Sequence, residues 1–199
     1  MTYIKHSETV FIMTRLLLIL CLILSFQTLA RTDDISEFEI EGISINDSAL
    51  NYFSIEQIND NMSMPPNLEK SAYTQSCFNN YGKIYDRICL AFNKNSFEKK
   101  IVQIQAQIRY DKDVINICKK KQTEIDEELS LIFKNLKRKD WGRRLLTGWG
   151  DTNIESYYYP ITYEFADNSK AQLGCYSIMN KLFLKVAVYT SEFAEVISD

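Results

Sequence analysis

Histidine is almost absent from this chain: among 199 residues the single one, His6, stands ahead of the apolar run LLLILCLILSF at 16–26. That run follows Arg15 and leads into Gln27-Thr28-Leu29-Ala30, the basic flank, apolar core and small-residue cleavage site of a secretory leader. The run falls short of the ~20 residues needed to cross a bilayer. A product cleaved after Ala30 would hold no imidazole, and so would lack the most frequent general base and the commonest metal ligand. Neither a Ser/His/Asp nor a Cys/His nucleophilic site could be assembled from it. Proline and glycine are also scarce, 3 and 6 residues, and no Pro/Gly/Ser linker divides the chain. Gly142, Gly148 and Gly150 make no phosphate loop, because no GK[ST] and no preceding strand accompany them. No two cysteines form a CxxC pair, which argues against a thioredoxin-like site or a zinc ribbon. No cofactor and no nucleotide are expected.

What is present reads as a leader, 1–30, followed by one domain, 31–199, large enough to bury a core. Met13-Thr14-Arg15 would itself make a compact start, so 1–12 is open to being an upstream extension, and an uncleaved anchor is the other reading of the run. Lipidation at Cys21 is disfavoured, because Leu20 stands where such a signal wants a small residue. The formal net charge is −3, and loss of Lys5, Arg15 and Glu8 with the leader enlarges the acidic excess by one. So small an excess names no strong electrostatic partner, and nucleic acid is not expected.

Period-two alternation dominates the rest. Ile88, Leu90 and Phe92 face one way against Tyr85, Arg87 and Cys89, and Val102, Ile104, Ala106, Ile108 and Tyr110 alternate with Gln103, Gln105, Gln107 and Arg109. These read as a hairpin with one dry and one wet face. Three further runs follow: Tyr157 to Phe165, then Ala171, Leu173 and Cys175, then Leu182, Leu184, Val186 and Val188. Between hairpin and meander, Val114, Ile117, Cys118, Ile125, Leu129, Ile132, Phe133 and Leu136 recur at helical spacing, which predicts an amphipathic helix over 113–136, capped by Asp111 or Asp113. Near the start, Phe38, Ile40, Ile43 and Ile45 suggest a strand interrupted at Gly42, followed by a short helix; 59–72 reads as loop; Ser191 caps a closing helix. The expected fold class is α+β: an antiparallel meander sheet packed on one face by the long helix and short terminal helices.

Beyond the leader, Cys77, Cys89, Cys118 and Cys175 remain, an even count that favours two disulfides in an oxidising compartment, with three connectivities open or four free thiols as the alternative. Cys118 lies on the apolar stripe of the helix and Cys175 shares parity with Leu173 on a dry strand face. Packing helix on sheet therefore points to Cys118–Cys175, leaving Cys77 with Cys89.

Carboxylate chemistry remains open through Glu155, Glu164 and Asp167, since glycoside hydrolysis needs two acids held across a cleft; a solvated strand face is the simpler account. The stretch KRKDWGRR at 137–144 brings together Lys137, Arg138, Lys139, Trp141, Arg143 and Arg144 as a patch for an anionic partner, whether lipid headgroup, polyanionic glycan or nucleic acid. Trp141, Trp149 and the run Tyr157-Tyr158-Tyr159 could stack on sugars or bases. A solvated connector with Trp141 folded onto the core is the simpler reading there too.

The segment FEIEGISINDSALNYFSIEQI at 38–58 resembles the opening of a family of small exported bacterial proteins without known activity, in which a Gly-[IM]-Ser step meets a short Asp-Ser-[AL]-Leu-x-x-Phe helix. The likeness extends more faintly to the Cys118 helix, to Gly174-Cys175-Tyr176 and to Ser191-Glu192-Phe193. That resemblance implies a cysteine pair at Cys118 and Cys175, with Cys77 and Cys89 as additions. A weaker likeness is to small outer-membrane assembly lipoproteins and the β-lactamase-inhibitor-protein fold; the missing lipidation departs from the lipoproteins. The reading as a whole is a secreted or periplasmic, non-catalytic protein that binds a protein or an envelope surface and meets the membrane only through its leader. A carboxylate-based glycan hydrolase is the alternative.

Overall fold

The computed structural model describes residues 34–65, 68–111, 114–146 and 155–197, all within one compact unit, Thr32–Asp199. The expected leader at 1–30, Asp113 and Trp149 lie outside them. Among the described residues no helix is long and apolar enough to cross a membrane.

A small hairpin, β1 (Glu39–Ile40) and β2 (Ile43–Ser44), opens the fold. Sequence alternation suggested one interrupted strand; Glu41 and Gly42 instead hold φ values of 54° and 78° and reverse the chain in two residues. Such turns need positive φ at both central positions, which glycine takes without penalty. Ser54 then starts α1 (Ile55–Asp60) through a capping box with Gln57.

The main sheet contains β3 (Met62–Ser63), β4 (Tyr73–Asn79), β5 (Arg87–Asn93), β6 (Ile101–Tyr110), β7 (Lys137–Asp140), β8 (Arg144–Leu145), β9 (Tyr157–Glu164), β10 (Lys170–Ile178) and β11 (Lys181–Tyr189). The strands run in the order β3-β4-β5-β6-β11-β10-β9-β7, with β8 also paired to β9, and every pairing is antiparallel. Between β6 and β7 the helix α2 (Ile115–Ile132) crosses the sheet, and α3 (Ser191–Val196), capped by Thr190, closes the chain. This is an α+β fold in which a helix packs on an antiparallel sheet.

Register sorts the sheet residues into two faces. Leu173, Val186, Ala106 and Ile88 lie opposite one another across β10, β11, β6 and β5, as do Cys175, Leu184 and Ile108. This dry face forms the main core together with α2, the β1–β2 hairpin and α1. Helix and sheet are tied covalently, Cys118 Sγ to Cys175 Sγ at 2.03 Å, and the buried Gln122 donates to the Tyr159 carbonyl at 2.6 Å. Cys77 and Cys89, directly opposed on β4 and β5, form the second disulfide on the other face.

The helix is shorter than its apolar periodicity predicts. It ends at Ile132, and Phe133, with ψ of 48°, leaves the helical path to pack its ring against Phe38, Tyr163 and Phe165 at centroid distances of 5.6, 5.7 and 5.3 Å. Among the described residues no side chain caps its start at Val114. The closing helix lies on the opposite face, where Phe193 and Ala194 cover Ala91, Val102, Ala187 and Tyr189 at one end of the sheet.

Chain-entropy arguments rank the two bonds by the loops they close, which separate the cysteines by 57 and 12 positions. Replacing Cys118 and Cys175 together by alanine is expected to lower unfolding free energy by roughly 4 kcal/mol and replacing Cys77 and Cys89 by roughly 3 kcal/mol. Urea titration of both double variants checks this; the opposite ranking contradicts it.

Candidate functional site

With α2 and the N-terminal elements on the dry face, the second face of the sheet is covered by a described helix only at its α3 end. Across the remainder, one row of directly opposed residues runs Arg144 (β8), Tyr158 (β9), Tyr176 (β10), Phe183 (β11), Arg109 (β6). The Tyr158 and Tyr176 rings are near-parallel at 5.0 Å between centroids, and Tyr176 and Phe183 at 5.4 Å. Tyr176 is packed between its neighbours at 5% exposure, while Tyr158 and Phe183 are half-buried.

Gly174 makes this row compact. A Cβ there would sit 3.0 Å from the Tyr176 ring and 3.3 Å from the Tyr159 carbonyl, so the ring lies where a side chain would otherwise stand. The Tyr176 hydroxyl donates to Gln172 Oε1 at 3.2 Å.

Beside this row runs a second: Pro160, Gly174, Lys185, Gln107, Arg87. The Lys185 ammonium lies 4.2 Å from the Tyr176 ring centroid, and burial lowers its pKa from 10.5 to about 8. Arg87 is lowered too, first by burial and then by repulsion from Arg109, and its buried Nε has no hydrogen-bond partner among the described residues. Charge is segregated on this face. Lys137, Lys139, Arg144, Lys170, Lys181, Lys185, Arg87 and Arg109 share its strand parity, against Glu164 as its strand carboxylate.

The residues of the 137–144 stretch are divided rather than gathered. The expected connector is built as the edge strand β7 and the short β8. Arg138 turns to the helix side and forms a two-bond pair with Asp126, Nε–Oδ1 2.9 Å and Nη2–Oδ2 2.7 Å. Burial works to raise the Asp126 carboxyl; hydrogen bonds from Arg138 and Tyr163 outweigh it and hold the group below its ordinary range. Lys137 pairs with Glu164 at 3.3 Å and Arg143 with Glu155 at 2.6 Å. Lys139 and Arg144 stay on the second face, 3.3 and 5.3 Å from the Trp141 ring centroid, and Trp141 donates through Nε1 to Thr162 Oγ1 at 3.0 Å. Of the three tyrosines at 157–159, only Tyr158 faces this side; Tyr157 and Tyr159 face α2.

The three candidate acids do not converge. Glu155 and Glu164 are in the ion pairs just named, and Asp167 accepts from Ser169 N at 3.0 Å in the β9–β10 turn. An open depression of 410 Å³ elsewhere is lined by Tyr73, Asn93, Asn95, Ser96, Lys100, Val102 and Glu192, which gives it a single carboxylate. Among the described residues no group of three or more His, Cys, Asp or Glu side chains could hold a metal ion.

Tyr176, Phe183, Lys185 and Arg87 were not singled out from sequence as site residues. Their signal is that each alternates with the apolar positions of its strand, Tyr176 with Leu173 and Cys175, Phe183 and Lys185 with Leu182 and Leu184, and Arg87 with Ile88 and Leu90. No protein-family model matches the chain, and no curated protein does. Among solved structures, the solution structure of cyanobacterial PsbP (CyanoP) from Synechocystis sp. PCC 6803 is similar at a TM-score of 0.37 and 8% identity, over 69% of this chain and 84% of that one. A likeness that loose assigns nothing to this protein.

Between pH 8 and 10.5 the unfolded chain holds the Lys185 proton that the folded chain has released, so this group makes stability rise with pH across that window. Lys185→Met is expected to melt at higher temperature than the wild type at pH 7, with the gap closing toward pH 10.5. Parallel thermal melts check this; a gap independent of pH contradicts it.

Proposed function

We propose that this chain is an exported, non-catalytic binding protein that meets its partner through the second face of the sheet, over β9, β10, β11 and β6. The observation that carries the reading is the aromatic row Tyr158–Tyr176–Phe183 with an arginine at either end. Cross-strand ring pairs stabilise a sheet by up to about 1 kcal/mol each, but that does not call for an arginine at both ends of the row, whereas aromatic and arginine side chains together are the ones that dominate binding energy. Two disulfides favour an oxidising compartment and with it secretion or the periplasm. The resemblance of 38–58 to small exported bacterial proteins supports the same location. Binding rather than hydrolysis is the better reading, because Glu155, Glu164 and Asp167 are each engaged apart from one another.

A photocrosslinking phenylalanine analogue placed at 183, on the open face, and at Leu131, 70% exposed on α2, compares the two sides in living cells of the native host. Adducts are expected from 183 and not from 131. Equal adducts from both positions, or adducts from 131 alone, contradict the proposal.

A further inference from the structure

Resting on the binding-face reading above, we infer that the ligand is an acidic polysaccharide whose sugar rings lie along the Tyr158–Phe183 row and whose carboxylates meet the arginines and lysine beside it. The row runs across the strands, so its residues repeat at the inter-strand spacing of about 4.8 Å, close to the length of one pyranose residue. Tyr158 and Phe183, separated by the packed Tyr176, stand roughly 10 Å apart, which is the scale of a disaccharide. Arg144 and Arg109 end the row about four strand spacings apart.

Each kind of group on this face answers a part of such a polymer. Half-buried rings offer apolar surface to the C–H faces of sugars. Gln105 and Gln107 present amides, which donate to and accept from hydroxyls. The guanidinium fork of the exposed Arg109, whose Nη2 donates to Asn79 Oδ1 at 3.4 Å, and that of the half-buried Arg87 suit a carboxylate in two-bond geometry. No described carboxylate forms a salt bridge with Arg87, Arg109 or Lys185. A neutral glycan would leave these charges unanswered. A nucleic acid would bring the charge too, but the two disulfides belong to an oxidising compartment, where polysaccharide is the commoner polyanion.

Calorimetric titration of the oxidised chain tests this with four probes: polygalacturonate, its methyl ester, an oligothymidylate and phosphatidylglycerol vesicles. Polygalacturonate is expected to bind, to weaken markedly as salt is raised, and to bind at least about tenfold more tightly than its methyl ester. Phe183→Ala, Arg109→Glu and Arg144→Glu are each expected to weaken it about tenfold, with unchanged melting for the two exposed arginine variants, and Leu131→Asp to leave it unaltered. Equal binding of the methyl ester overturns the role of charge. Tighter binding of oligothymidylate or vesicles that the same variants abolish overturns the polysaccharide and leaves the binding face standing. So does failure of all four probes while position 183 still crosslinks in cells. Polygalacturonate binding indifferent to all three face variants removes both the ligand and the face.

Discussion

Leu173, Val186, Ala106 and Ile88 fall in register across four strands, and a face of that kind exposed to water would lose about 25 cal/mol for every Å² of apolar surface left uncovered. Covering it is the requirement on which the rest of the molecule depends. The helix α2 does so, held by the Cys118–Cys175 bond and by the Arg138–Asp126 pair reaching across from the edge strand β7. Phe133 leaves the helix because an aromatic pocket formed by Phe38, Tyr163 and Phe165 receives it. Residues 35–58 then cover the part of the same face that α2 does not reach.

Once one face is dry, period two sends the intervening residues to the other, except that the register shift at Ala91/Phe92 carries Val102, expected beside Ile104 on the dry face, into the cluster under α3. Beyond that end the composition changes. Lysine, arginine, glutamine and three stacked rings replace the aliphatic residues, on a chain whose net charge is negative. Lys185 is the sharpest case: a cation held against Tyr176, its pKa pulled to about 8 by burial. Keeping it there opposes folding below that pH. Methionine would pack there at less cost to folding, and a cation at this position suits the anionic ligand inferred above.

Much of this is legible in the sequence. The strands β6, β9, β10 and β11 were legible because their buried positions are apolar and their wet positions polar, and the helix because Cys118, Ile125 and Leu129 recur on one stripe. The parity of Cys175 with Leu173 was enough to place it under that helix. In β4 the pattern failed: Thr74 and Ser76 occupy buried positions, with Ser76 donating to the Ile58 carbonyl at 2.7 Å, so hydrophobicity does not alternate there. β7 was hidden for the opposite reason, since an edge strand with all four residues exposed reads as loop. The grouping of 137–144 as a single basic patch followed sequence proximity, whereas pairing to β9 sends neighbouring residues to opposite faces. The aromatic row escaped notice because its members come from separate strands and meet only through register.

Hydroxyl-radical footprinting with and without polygalacturonate tests the central claim most directly, because it reads both faces in one sample. The account predicts that Tyr158, Phe183 and Trp141 lose labelling when the polymer is added, while Phe97, 98% exposed in the β5–β6 turn, and Leu131 on α2 keep theirs. Protection of Phe97 or Leu131 with Tyr158 and Phe183 unchanged would contradict it.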